Sequence, residues 1–142
     1  MTKSRSTSPP ARVRLPGGPS KSWNCNGVKS TSAFDVSGSA ANSSTTGLNT
    51  GLAGAVAGVG ELVVGAVSTT GTTALTLAQG SSSPTAGWVA LTDFGTGTTS
   101  WDVVGRAAYF NSTAAGAQYK VAWASSAAKS GGGAAVVVKA GP

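Results

Sequence analysis

The chain has no histidine, a single cysteine and only four acidic residues among 142. The missing imidazole removes the usual general base near neutral pH, the common zinc ligand and every Ser-His-Asp arrangement. Cys25 has no second cysteine or histidine to join, so it forms neither an internal disulfide nor a metal site and reads as a free thiol in a cytosolically made chain. Charged residues make up 10% of the sequence, well below the roughly 25% of ordinary globular proteins. A surface this poor in charge consists of hydroxyl, amide and small apolar groups and gains little from ionic solvation. Assembly with neighbours is the expectation that follows.

The few remaining groups that could do chemistry do not form a persuasive constellation. Asp93 and Asp102 are nine residues apart on adjacent predicted strands and could meet across a hairpin, but paired-carboxylate catalysis needs a cleft for which there is no signal. Ser126 lies three residues before Lys129, yet in a predicted loop rather than at a strand-to-helix turn. The glycine-rich stretches lack the Gly-Lys-Ser/Thr ending of a phosphate loop, and the acids are too scattered for calcium. The sequence therefore predicts no enzyme, no catalytic or metal-binding residue and no cofactor.

What charge there is sits at one end. Residues 1–29 carry Lys3, Arg5, Arg12, Arg14, Lys21 and Lys29 without an acid, which accounts for the whole net charge of +6. Four of the six prolines, Pro9, Pro10, Pro16 and Pro19, fall in the same segment. Proline withdraws amide donors and blocks helix, and so few large apolar residues cannot offset the entropy of ordering. Residues 1–29 thus read as a basic, Pro/Ser-rich extended arm, and 30–142 as a neutral domain. The N-terminus runs into Ser, Pro and Arg rather than an apolar stretch, so no secretory signal is expected, and the Asn-x-Ser/Thr matches at Asn42 and Asn111 are attributed to chance. Within the arm, Trp23 is the aromatic anchor candidate and Arg12 and Arg14 the charged ones, as for a peptide laid into a partner's groove.

Downstream, short apolar or alternating runs separated by Gly, Ser, Thr and Asn predict an all-β fold. Strands are expected at 33–36, 61–68, 73–78, 88–94, 100–110, 118–124 and 134–139. The clearest alternation places Tyr119, Val121 and Trp123 on one face. Core candidates are Trp88, Trp101, Trp123, Tyr109, Tyr119, Phe94 and Phe110. The continuous runs Leu62-Val63-Val64 and Val136-Val137-Val138 fit central strands, or strands whose second face a partner covers. Residues 51–67 hold only Glu61 as a charge, but five glycines and the cost of an acid near the bilayer centre weigh against a membrane span, and 51–60 reads as a loop leading into a strand. Gly131-Gly132-Gly133 reads as a flexible turn between the last two strands.

The run from Val59 to Val67, the stretch Pro84-Thr85-Ala86-Gly87-Trp88-Val89-Ala90-Leu91, then Tyr119-Lys120-Val121-Ala122-Trp123 and the closing Ala135-Val136-Val137-Val138-Lys139 together resemble jelly-roll β-sandwiches of tailed-bacteriophage structural proteins. The resemblance covers about residues 59–140. It implies a jelly-roll-like antiparallel sandwich and a virion component of capsid-decoration, head-fibre or minor-tail type, with no catalytic residues to carry over. The expected partner is the major capsid protein or another virion protein, with a homo-oligomer around a symmetry axis and no membrane. Two rivals keep the fold: a small coat protein whose arm faces nucleic acid, and a tail or fibre module that binds glycan.

Overall fold

The computed structural model describes residues 29, 31–71, 74–91 and 103–141, and within them the chain is all-β. Six strands follow one another: β1 (Phe34–Asn49), β2 (Leu62–Thr70), β3 (Leu75–Leu77), β4 (Val89–Ala90), β5 (Val103–Asn111) and β6 (Ala122–Val138). Every pairing is antiparallel, in the order β1-β6-β2-β5-β4, with β3 added to β6. The only helical turn among the described residues is a 3-10 turn, Gln79–Ser81.

β2 shows why these segments become strands. Its side chains alternate between faces, so that Val63, Gly65, Val67 and Thr69 are buried while Leu62, Val64, Ala66 and Ser68 are half-buried on the opposite face. Pairing of Val63 with both Phe110 and Val137 carries the buried face across three strands. Leu62-Val63-Val64 and Val136-Val137-Val138 are accordingly neighbours in central strands, as their continuous apolar character predicts.

The longest pairing, β1 with β6, is creased. The first part of β1, to Asn42, pairs with Gly131–Val138, whereas Gly47–Asn49 pairs with Ala122–Ala124. At the crease Ser44 has φ 46° and its N–H donates to Ser130 Oγ at 2.9 Å. The Asn42 side-chain amide donates to Asn49 O at 3.0 Å and its Oδ1 accepts the Asn49 N–H at 3.0 Å, so the polar groups opened by the bend are satisfied. Past the crease the chain returns over the first part of the sheet as a second layer, close enough that a Cβ at Gly133 would meet the Asn49 carbonyl and one at Gly65 the side chains of Val121 and Thr50. Strand-free segments extend this second layer: Thr50 N–H donates to Val121 O at 3.1 Å, Ala53 N–H to Tyr119 O at 2.9 Å and Val56 N–H to Ala117 O at 3.0 Å.

Between the layers lie Trp123, Tyr119, Leu48, Val121, Val63 and Val137, all essentially inaccessible to solvent. Trp88, Phe110 and Tyr119 form a row with successive ring centroids 5.4 Å apart. Their polar tips are used: Trp88 Nε1–H donates to Pro84 O at 3.0 Å, and the Tyr119 hydroxyl accepts the Thr113 N–H at 3.0 Å. Gln79 gives Trp88 a substitute strand partner, donating to its carbonyl and accepting its N–H.

Several expectations are corrected. β1 is far longer than 33–36, because its Ser, Ala and Asn residues are held by pairing with β6 rather than by propensity. Gly131-Gly132-Gly133 is no turn but the interior of β6, and the stretch 125–129, expected as a loop, belongs to the same strand at its crease. A Cβ at Gly133 would collide with the Asn49 carbonyl, so close layer packing requires glycine there. Tyr109 alternates with the buried Ala108 and Phe110 and so lies half-buried on the outer face beside Val64. β6 begins only at Ala122, although Tyr119, Val121 and Trp123 are buried as expected. Residues 51–60 form the expected loop, and among the described residues no helix is long and apolar enough to cross a membrane. Phe94, Trp101, Asp93 and Asp102 lie outside the described residues.

Candidate functional site

The predicted arm anchors Arg12, Arg14 and Trp23 lie outside the described residues, but the point where residue 29 meets the sheet is described. Lys29 N–H donates to Lys139 O at 3.2 Å, and Lys139 N–H donates to Ala33 O at 2.7 Å. This end of the sheet also gathers charge. Phe34 and Leu62 both pair with Val138, one on each side of β6, which brings the adjoining acids Asp35 and Glu61 to the same end.

Asp35 Oδ2 accepts the Ala57 N–H at 2.8 Å, and Asp35 Oδ1 lies 3.6 Å from Lys139 Nζ. The Ala57 hydrogen bond, aided by Glu61 and the Lys139 charge, holds the Asp35 carboxyl below its ordinary range against the opposing effect of desolvation. Glu61 is buried, and its Oε2 has no hydrogen-bond partner. Burial, reinforced by its hydrogen bond to Asp35 and by that group's negative charge, pushes the Glu61 carboxyl above its ordinary value. The pair therefore divides its roles: Asp35 stays ionised against Ala57 and Lys139, while Glu61 retains its proton more readily.

Ser112 fastens the loop that carries Glu61. Its buried hydroxyl accepts the Glu61 N–H at 2.9 Å and donates to Gly58 O at 2.8 Å, and its backbone exchanges hydrogen bonds with Gly60 and Glu61. The carboxyl pair is thus a built part of the fold. Two surface grooves exist elsewhere, one over Ser39, Ala66 and Ala134 and one beside Thr46, Lys120 and Trp123, and neither is lined by a carboxylate. The pair has no local signature along the chain, since the two acids are 26 positions apart and become neighbours only through the register on either side of β6.

A pH experiment isolates Glu61. Because its folded-state pKa is raised above the ordinary 4.5, its stabilising contribution is fully present below that value and is lost as pH rises through the folded pKa. Asp35, shifted downward, contributes above its ordinary 3.8 and loses that contribution as pH falls through the lower folded value. Glu61→Gln keeps a neutral donor beside Asp35 at all pH values. Its stability relative to wild type should therefore rise with pH from 4.5 upward. Urea unfolding of both proteins at about pH 4 and about pH 8 measures this difference, and a pH-independent difference would contradict the assignment.

The second feature of the described body is the outer face of the sheet, formed by the outward residues of β1, β6, β2, β5 and β4. Phe34 is 59% exposed, Val89 46% and Val136 36%. By register, Val64 and Tyr109 lie between Val136 and Val89 on the same face, and no outward residue of the five strands is charged. Comparison with protein-family models, with curated proteins and with solved structures finds no match to this chain.

Proposed function

We propose that this chain is a non-enzymatic virion structural protein, a jelly-roll-like sandwich of the capsid-decoration type that docks through its N-terminal arm and stabilises the shell. The observation that carries the reading is the division of labour along the chain. All the net charge belongs to residues 1–29, whereas the folded body presents a broad sheet face without a single charged side chain. Such a body is suited to lie against neighbours, and a basic, proline-rich arm is suited to reach a partner surface at low ordering cost. The creased β1–β6 pairing, which passes from one layer to the other, supports a sandwich of this kind. Among the described residues, Asp35 and Glu61 are tied to the 57–61 loop and to each other, and neither surface groove is lined by a carboxylate. A protein that binds only the assembled shell stabilises it by mass action.

The test compares the full-length chain with a version beginning at Ser30 in co-sedimentation with capsid shells stripped of this protein. The shortened chain should keep its strand-rich circular dichroism, since β1 to β6 all lie downstream and, among the described residues, the contact removed is the Lys29 backbone hydrogen bond. Its affinity for shells should fall by roughly tenfold or more, corresponding to loss of a few arm contacts. Arm binding through Arg12 and Arg14 should weaken with salt, while a groove filled by Trp23 should fail on Trp23→Ala. Equal binding by the two chains refutes the arm, and binding of nucleic acid in place of shells favours the coat-protein rival.

A further inference from the structure

We infer that Asp35, Glu61 and the loop tip at 57–60 form a proton-operated latch: the tip lies closed over the two carboxyls while Glu61 holds a proton, and lifts locally when that proton leaves. The latch gives this end of the body two states selected by pH.

The geometry supplies both the pair and its cover. Glu61 is 5% exposed and the Asp35 side chain 8%, so the closed tip keeps both carboxyls from water. Loop backbone forms the cover. Asp35 Oδ2 accepts the Ala57 N–H at 2.8 Å, and Gly58 lies so near that a Cβ there would stand 3.3 Å from Glu61 Oε1. Ser112 completes the closure, its hydroxyl donating to Gly58 O at 2.8 Å and its carbonyl accepting the Gly60 N–H at 2.7 Å. Beneath the cover, Glu61 Oε2 has no hydrogen-bond partner among the described residues. A neutral acid leaves such an oxygen unpaired at modest cost, whereas an ionised one holds buried charge that nothing receives.

The moving part has fixed ends. Val56 is buried, and its N–H and carbonyl bond to Ala117 O and Gly116 N–H. At the other end Glu61 is held through its N–H by Ser112 Oγ, and Gly60, at φ 79°, marks the joint between tip and strand. Lifting 57–60 therefore breaks three hydrogen bonds of the tip and none of the β2 ladder, which is the pattern of local opening.

Charge counting gives the direction. With Glu61 protonated, Asp35 and Lys139 balance one another; without the proton, two carboxylates face one ammonium that already lies 3.6 Å from Asp35. No further charge among the described residues comes to their aid. Asp35 is the only charged residue of β1, and residues 51–60, β2 and residues 111–119 carry none. The Tyr119 hydroxyl accepts the Thr113 N–H, Arg106 and Lys129 stand opposite Val67 and Thr45 away from this end, and Lys29 is exposed. The closed tip thus binds the proton more tightly than the open one, so opening becomes more frequent as pH rises, by at most about tenfold per pH unit. The upward shift of Glu61 and the downward shift of Asp35 agree with that sign.

Amide hydrogen exchange of the full chain, followed by NMR between about pH 5 and about pH 8 and corrected for the intrinsic rate of each amide, reads the latch directly. In wild type the protection of the Ala57 and Gly60 amides should fall by about tenfold or more across this range. Those two amides should exchange faster than Val63 and Ala66 of β2, and, unlike them, should not accelerate in dilute urea, because local opening exposes little surface. Glu61→Gln, neutral at every pH, should hold the protection of both tip amides constant. Asp35→Asn retains an acceptor for Ala57 and offers Glu61 an amide donor in place of a negative charge, so its tip should also stay closed as pH rises. Constant protection in wild type, a fall as large as wild type's in either variant, or tip amides that match Val63 and Ala66 in rate and urea dependence overturns the inference.

Discussion

Trp123→Ala should lower the free energy of unfolding by about 3–5 kcal/mol, the range for deleting a fully buried large aromatic side chain. Trp123 is 1% exposed and lies at the meeting of three strands, opposite Leu48 of β1 on one side of β6 and Leu77 of β3 on the other. The loss combines the transfer of a large apolar surface with the cavity left behind. That cavity cannot close easily, because the β1–β6 pairing beside it is fixed by the Asn42–Asn49 amide contacts. Denaturant unfolding monitored by far-ultraviolet circular dichroism measures the change directly. A cost under about 1 kcal/mol would place Trp123 at the surface rather than between the layers.

The second large effect is predicted within the glycine run of β6. Gly133→Ala should destabilise by about 1–3 kcal/mol, because the new methyl would meet the Asn49 carbonyl and the two layers would have to separate. Backbone is the obstacle, so no rotamer change can relieve it. Gly132→Ala provides the internal control: a Cβ there has nothing within 4 Å, and the substitution should stay within about 0.5 kcal/mol of wild type. Equal effects at the two positions, measured as shifts in urea midpoint, would contradict the layer contact at Gly133.

That contrast also explains what the amino-acid sequence revealed and what it concealed. β2 was legible from its continuous apolar run Leu62-Val63-Val64, and the burial of Tyr119, Val121 and Trp123 from their alternation with Gln118, Lys120 and Ala122. β1 was concealed because its Ser, Ala, Asn and Thr residues carry little apolar pattern and obtain their structure from β6. The run Gly131-Gly132-Gly133 misled because glycine serves both turns and close approach, and only the position of Asn49 distinguishes the two. The Asp35–Glu61 pair depends on long-range register and left no local trace. The outer face was partly foreseeable from Leu62-Val63-Val64 and Val136-Val137-Val138, whose apolar character on both faces exceeds what one core can use.

The crease in β6 bears on cooperativity. Two layers built from separate strands can open one at a time, giving partly unfolded states of intermediate free energy. Here one strand contributes Ala122–Ala124 to one layer and Gly131–Val138 to the other, and β1 accompanies it through both. Neither layer can detach without disturbing the strand that serves the second, so the free-energy cost of opening is shared across the body. That coupling disfavours the half-open species, with unsatisfied strand edges, from which domain exchange and aggregation begin.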